Sequence, residues 1–246
     1  MDKYIEPISK KENAALDMDD SFSLPVKASN RGIVRIGVVG SKRGIGTTTT
    51  AIQFVKYLNT CEPGSAAYLE YNQTGYLDNL LNTYILDDED TRLERYLFKG
   101  VELYKDPKKL SVLPKYDYMI YDYGSVEDII DLSSLYEKDL ILLVGGAKPN
   151  ANEMGKMTMA MKMVYDQKNV FYLFNFIHPQ EQKDVLQVQG DLADRTYFIN
   201  YAPSPFILNQ DHISLFHDIL TRPLEISKEV GKSKKLLQRL FPRGRE

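Results

Sequence analysis

The fold of this chain is decided by one stretch, Val38-Val39-Gly40-Ser41-Lys42-Arg43-Gly44-Ile45-Gly46-Thr47-Thr48-Thr49-Thr50. An apolar run over 33–39 leads into it, and apolar residues at helical spacing follow over 47–59. A strand, a glycine-rich loop and a helix in this order are typical of a phosphate site, because glycines let backbone amides approach an anion at the positive end of a helix. The stretch therefore predicts an anion-binding loop.

One position of this loop departs from the usual phosphate-binding motif. A full P-loop reads G-x-x-x-x-G-K-[ST], and Thr47 stands where the lysine belongs. A hydroxyl can donate one hydrogen bond to a phosphate but brings no charge. The guanidinium of Arg43 suits phosphate well and could replace part of the missing charge, although the sequence leaves the direction of its side chain open.

Composition is that of one globular α/β domain. The chain has 246 residues, 43% of them hydrophobic, and a net charge of -3, which gives no broad footprint for nucleic acid. Cys61 is the single cysteine, so an internal disulfide is excluded and a reducing compartment is expected. No stretch reaches the roughly 18 to 20 apolar residues of a membrane span, and the polar start does not resemble a signal peptide.

From Gly32 onward, apolar strands alternate with helical segments, which predicts a doubly wound, mostly parallel sheet in a single domain. We expect strands over 33–39, 66–71, 101–104 (an edge strand), 118–121, 140–144, 170–174 and 196–199. We expect helices over 47–59, 76–82, 91–96, within 126–137, and over 151–166, 180–188 and 213–220. The domain would cover 31–225, between a flexible N-terminal arm (1–30) and a basic amphipathic C-terminal tail (226–246).

Four blocks of sequence resemble the ParA/MinD ATPases. The segment Lys42-Arg43-Gly44-Ile45-Gly46-Thr47-Thr48-Thr49 looks like their deviant Walker A motif, K-G-G-x-G-K-[ST]-[ST]. The other three blocks follow in the order that the family has. The D-x-D-P-Q-G switch is matched by Tyr68-Leu69-Glu70-Tyr71-Asn72-Gln73-Thr74-Gly75, and the Walker B strand by Tyr116-Asp117-Tyr118-Met119-Ile120-Tyr121-Asp122. The segments where the family holds adenine are matched by Phe174-Asn175 and Tyr201-Ala202-Pro203. The resemblance covers about Ile33 to Pro205 and implies a P-loop fold.

The resemblance also implies a role for each matching residue. Lys42 matches the signature lysine that reaches the nucleotide of a dimer partner, and Thr48 and Asp122 match the groups that hold Mg²⁺. The implied cofactor is ATP or ADP with Mg²⁺. Its contacts would come from Arg43, Gly44, Ile45, Gly46, Thr47, Thr48, Thr49, Asn175 and Pro203.

Two departures from the family pattern bear on activity. Thr47 lacks the charge that would offset the β and γ phosphates, and Asn72 replaces the aspartate that positions the attacking water in the family. Glu70 stands in place of the first aspartate of the switch, which is a milder change because the carboxylate is kept. Groups of this kind contribute about 10² to 10⁵ each to the rate of phosphoryl transfer. We therefore expect hydrolysis to be slow or absent.

These inferences favour a degenerate nucleotide-binding protein that acts as a homodimeric positioning factor and recruits the proteins of a localisation or secretion system. Two alternatives stay open. One is an active ParA-type ATPase that binds DNA, and the other is a structural adaptor that binds no nucleotide. The expected location is cytoplasmic, with attachment to the inner face of the membrane through the tail.

The tail resembles the membrane-targeting helix of MinD. At about 100° per residue one side of a helix would carry apolar anchors and the other side cations. The anchors are Leu236, Leu237, Leu240 and Phe241, and the cations include Lys235 and Arg239. Such a helix suits an anionic lipid surface. Docking on its own domain is an equally open alternative, and nucleic-acid binding is less favoured because leucines separate the charges.

Other polar residues give no metal signature. His178, His212 and His217 are scattered, and we expect the latter two to be surface groups on or beside one helix. The acidic run 87–90 lacks the spacing of a calcium loop and is expected to be a solvated loop.

Deleting residues 232–246 should remove most binding to vesicles that contain anionic lipid, because each cation near such a surface contributes about 1 kcal/mol. Sedimentation with anionic vesicles measures this, and neutral vesicles are the control. Equal sedimentation of both chains would favour docking of the tail on its own domain.

Overall fold

A computed structural model describes residues 32–62, 64–90, 92–105 and 116–222 of the chain. The arm predicted over 1–30 and the tail predicted over 226–246, with its lipid-facing residues, lie outside these ranges. Within the described ranges, we find no helix that is both long enough and apolar enough to cross a bilayer.

Within these described residues, nine strands form one sheet. They are β1 (Val34–Gly40), β2 (Ala66–Glu70), β3 (Asp88–Asp90), β4 (Arg95–Phe98), β5 (Val101–Tyr104), β6 (Tyr118–Ser125), β7 (Leu140–Gly145), β8 (Val170–Asn175) and β9 (Thr196–Ile199). Their order is β3-β4-β5-β2-β6-β1-β7-β8-β9, in which the seven strands from β5 to β9 are parallel. The predicted doubly wound, mostly parallel sheet is confirmed.

Helices cover both faces of the sheet. They are α1 (Thr47–Cys61), α2 (Tyr76–Thr83), α3 (Leu132–Tyr136), α4 (Glu153–Met163), α5 (Gln182–Gln189) and α6, which runs from residue 210 to residue 222. Buried side chains of α1, α2 and α6 share one core with alternate strand residues such as Leu142, whereas those of α3, α4 and α5 pack with the intervening residues such as Leu143. This alternation follows from the two-residue period of a strand.

The sheet register brings the site residues together. Val38 of β1 and Glu70 of β2 both lie opposite Asp122 of β6. Since parallel strands end at the same edge of a sheet, the loops that follow these three strands meet there. That edge is where ligands bind in open α/β sheets.

Three predictions on the first half of the sheet are wrong. Residues 92–94 form a turn and Arg95–Phe98 form a strand, where a helix was expected over 91–96. The reason is that Tyr96 and Phe98, two residues apart, both pack on the core, which is strand spacing. The strand Val101–Tyr104 is present but is not at the edge, because β4 and β3 pair outside it. Residues 88–90 of the expected acidic loop form β3.

His212 is also not the surface group that the sequence suggested. Its side chain is 1% exposed, and its Nε2 lies 2.9 Å from the carbonyl oxygen of Asn200. The helix begins at residue 210 rather than 213, and this places His212 and Phe216 four residues apart on the buried face of α6.

An aromatic contact fixes α6 on α1. The rings of Phe54 and Phe216 lie 4.8 Å apart between centroids, and both side chains are fully buried. Tyr57 completes the cluster at 5.7 Å from Phe216. Helix α6 therefore depends on α1, the helix that follows the glycine-rich loop.

Phe216→Ala should lower the free energy of unfolding by about 3 to 5 kcal/mol, because it removes a buried ring and leaves a cavity. Ile130→Ala is the control, since Ile130 is 81% exposed and should change stability by at most about 0.5 kcal/mol. Urea titration of both variants measures the difference. Equal midpoints would show that α6 does not depend on this contact.

Candidate functional site

The loop between β1 and α1 has the backbone of a phosphate cradle. Gly44 and Gly46 adopt positive φ angles of 73° and 98°, which favour glycine. A Cβ on Gly46 would also lie 2.5 Å from Nδ2 of Asn175. That amide donates to the carbonyl oxygen of Ile45 at 2.7 Å and so fixes the loop from β8. The loop's amides and the start of α1 face an open cavity.

This cavity has a volume of about 740 Å³, which is ample for a nucleoside triphosphate. It is lined by Lys42, Arg43, Gly44, Gly46, Thr47, Thr48, Thr49, Gln73, Thr74, Tyr76, Gly124, Ser125, Asp128 and Phe176. The structure thus brings the loop, the switch segment and the end of β6 to one cavity, although these segments are far apart in sequence.

Asp122 forms the polar centre beneath the cavity. Its side chain is fully buried, and its Oδ2 accepts hydrogen bonds from Thr48 Oγ1 at 2.6 Å and from Tyr68 OH at 2.7 Å. The amide of Gly124 donates to its Oδ1 at 2.9 Å. Burial raises the pKa of Asp122 above its ordinary value, and these hydrogen bonds offset part of the rise.

The contact between Thr48 and Asp122 is the arrangement expected of a Mg²⁺ site that is completed by phosphate oxygens. Mg²⁺ is usually held by one or two carboxylates, with phosphate and water supplying the other ligands. In the part of the chain that the structure describes, no cluster of three or more His, Cys, Asp or Glu could hold a metal by itself. The donor set therefore fits Mg²⁺ that arrives with a phosphate.

Both cations of the loop are already paired with carboxylates. Lys42 Nζ lies 2.9 Å from Oε1 of Glu153, at the start of α4. Arg43 binds Asp128 through Nε at 2.9 Å and also through Nη2. Hydrogen bonds from Arg43 and Ser125 lower the pKa of Asp128 to about 2. The formal charge of each pair is zero, so the cradle presents amides and hydroxyls without a free cation from the loop.

The two switch residues point to structural partners. Glu70 accepts hydrogen bonds from the backbone amides of Tyr76 at 2.7 Å and Leu77 at 3.4 Å, at the start of α2. Burial raises the pKa of Glu70, and these bonds offset part of the rise. Asn72 donates from Nδ2 to the carbonyl oxygen of Asp122 at 2.8 Å and accepts from the amide of Thr74.

The Asn72 contact explains why an amide occupies this position. The Asp122 carbonyl oxygen accepts a hydrogen bond from the backbone amide of Tyr71 at 2.9 Å and a second one from Asn72, which an ionised aspartate could not donate. The sequence reading treated Asn72 as a lost acid and missed this role. Its cavity-lining neighbours Gln73 and Thr74 were not singled out either.

A second, smaller cavity of about 80 Å³ adjoins the first. It is lined by Gly46, Thr49, Thr50, Gln53, Asn175, Phe176, Ile199, Asn200, Tyr201 and Ala202. Asn175 and the 201–202 segment meet here, whereas Pro203 is exposed and does not line the cavity. Their role in holding adenine stays a prediction. Gln53 and Phe176 were not predicted. Gln53 looked like an ordinary polar residue within a helix.

Solved structures of plasmid partition and MinD proteins have a similar fold. A plasmid partition protein of Borrelia burgdorferi bound to AMPPNP matches with a TM-score of 0.57 at 15% identity, over 79% of this chain and 99% of its own. MinD of Aquifex aeolicus matches with a TM-score of 0.54 at 15% identity, over 78% of this chain and 97% of its own.

A ParA family ATPase of Chlorobium tepidum gives a TM-score of 0.50 at 16% identity, over 76% of this chain and 92% of its own. The chain therefore has the ParA/MinD-like P-loop fold. Its sequence matches no protein-family model and no curated protein.

Asn72→Asp should lower the free energy of unfolding by about 1 to 3 kcal/mol, because a carboxylate would face the Asp122 carbonyl without a proton to donate. The loss should shrink as the pH falls from 7 to about 4, because the unfavourable position raises the pKa of the new carboxyl in the folded chain above its ordinary value, and the protonated side chain can donate. Denaturant titration at pH 7 and pH 4 measures both effects.

Gln73→Glu is the matched control, since it makes the same charge change at the next, exposed position. A similar loss of stability in both variants at pH 7 would assign the effect to charge in the switch rather than to the Asn72 hydrogen bond.

Proposed function

We propose that this chain is a nucleotide-binding positioning protein that binds ATP or ADP with Mg²⁺ and hydrolyses ATP slowly or not at all. The proposal rests on one observation: the amides of the Gly44–Thr48 loop open on a cavity of about 740 Å³ that lacks a central cation. The AMPPNP bound to the Borrelia burgdorferi protein supports an adenine nucleotide as the ligand of this fold.

Binding is supported by the groups that the cradle keeps. Backbone amides and the start of α1 favour an anion without any side-chain charge. The hydroxyl of Thr48, next to Asp122, suits the Mg²⁺ that accompanies the phosphates. Affinity should be modest, because a phosphate must compete with Glu153 for Lys42 and with Asp128 for Arg43.

Slow hydrolysis is supported by the groups that the cradle lacks. Phosphoryl transfer needs positive charge where negative charge accumulates and a residue that orients the attacking water. Thr47 supplies no charge, and the side-chain amide of Asn72 already bonds the backbone of β6 and of Thr74. Each missing group lowers the rate by about 10² to 10⁵.

A homodimer is part of the proposal. In it Lys42 contacts the nucleotide of the second copy, as the family resemblance implies. The Lys42 side chain is 21% exposed and lines the cavity, but it must leave Glu153 to reach a second copy. The dimer would recruit the protein partners of a localisation system at the inner face of the membrane, where the tail binds anionic lipid.

Calorimetric titration with ATP and ADP in Mg²⁺ should show binding, and phosphate release should stay near background. Thr47→Lys should tighten ATP binding about ten-fold, because it restores a charge-assisted contact to phosphate. Its turnover should remain low because Asn72 still stands at the switch. Gln187→Lys, an equal charge change at an exposed position of α5, is the control.

Rapid release of phosphate by the natural chain, lost in Lys42→Ala, would replace this proposal with an active ATPase. Absence of ATP and ADP binding at millimolar concentration would replace it with a structural adaptor.

A further inference from the structure

Gln53 is an unexplained polar residue beside the nucleotide site. It lies on the buried face of α1 and is 1% exposed. Among the described residues, neither its Nε2 nor its Oε1 has a hydrogen-bond partner. A buried amide without partners costs free energy, so its presence calls for a ligand that pairs with it.

The position of Gln53 indicates what that ligand is. It lines the smaller cavity, which shares Gly46, Thr49 and Phe176 with the phosphate cavity. The two cavities therefore meet at a common mouth. A ligand with phosphates on the Gly44–Thr48 loop would extend its other end toward Gln53.

Phe176 marks this mouth. It has a φ of 62°, a conformation that is strained for a bulky side chain, and its ring is 43% exposed. Lys148 Nζ lies 5.1 Å from the ring centroid. Strained residues cluster at ligand sites, where the surroundings hold them in place. The backbone strain keeps an aromatic ring at the junction of the two cavities.

We propose that Gln53 and Phe176 select the base of the nucleotide, with the Gln53 amide pairing with the edge of adenine and the Phe176 ring packing on its face. This inference rests on the proposed function. A glutamine amide offers a donor and an acceptor side by side, which matches N7 and the N6 amino group of adenine. An aromatic ring stacks on any nucleotide base, so Phe176 would contribute to affinity, whereas Gln53 would select adenine over other bases.

The size of the smaller cavity fits this arrangement. A volume of about 80 Å³ admits the edge of a purine rather than the whole base. The remainder of the ring system would lie in the open mouth, against Phe176 and Tyr201, which is 75% exposed. Both aromatic residues are thus exposed where an apolar ligand face would cover them.

Gln53→Leu tests the pairing with three measurements. The variant should bind ATP about ten-fold more weakly, which is the loss expected for a bidentate pair. Its affinity for tripolyphosphate, which has no base, should equal that of the natural chain. The melting temperature of the ligand-free variant should be equal or higher, because the substitution removes an unpaired buried amide.

Unchanged ATP affinity in Gln53→Leu would overturn the inference, as would an equal loss for ATP and tripolyphosphate or a marked drop in melting temperature. Failure of the natural chain to bind either ATP or tripolyphosphate would overturn the proposed function and this inference with it. If the natural chain binds ATP, the proposed function stands, and a negative result with Gln53→Leu overturns only the inference about the base.

Phe176→Asn is a second variant that keeps the backbone conformation, because asparagine tolerates positive φ. It should weaken ATP binding about five-fold or more and leave tripolyphosphate binding unchanged. Tyr165→Asn is the control, since Tyr165 is a 76% exposed aromatic residue that lines neither cavity. An equal ATP affinity in both variants would remove Phe176 from the base site.

Discussion

The carboxylate of Asp122 is fully buried, so the groups that surround it must supply its hydrogen bonds. Those groups come from α1, β2 and the end of β6 itself, through Thr48, Tyr68 and Gly124. The carbonyl oxygen of the same residue accepts the amide of Asn72 in the switch. One residue therefore holds together the start of the first helix, the second strand and the switch segment, and the shape of the phosphate cavity depends on it.

The balance of charge around that cavity separates binding from hydrolysis. Amides and hydroxyls attract an anion whether or not a lysine is present, and this part of the site is intact. Its two cations are held by Glu153 and Asp128, and neither carboxylate belongs to the glycine-rich loop. Under the proposed function, the same loop would retain a phosphate while lacking the mobile positive charge that a transition state requires.

The sequence alone was sufficient for most of the sheet and for the loop, because both depend on local patterns. Apolar runs located every central parallel strand, and Gly44 and Gly46 located the cradle. The hairpin of β3 and β4 was missed because its short strands are charged or half-buried, and their pairing is visible only in the folded chain.

Side-chain partners in the site could not be predicted, because they join distant segments. Arg43 and Asp128 are 85 positions apart, and nothing in either neighbourhood indicates the other. Gln53 was overlooked for a different reason. A glutamine in a helix is usually solvated, and only the burial of its amide beside a cavity makes it unusual.

The hairpin at one end of the sheet has a consequence for how copies of this chain can meet. Strand β3 is outermost and consists of Asp88, Glu89 and Asp90, with Asp88 bonded to Arg95 on the neighbouring strand. A second copy approaching this border would bring carboxylates against carboxylates, which disfavours extension of the sheet from one molecule into the next. Extension of the sheet at this border is therefore disfavoured, so the proposed homodimer would have to form through another surface, such as the loops around the cavity.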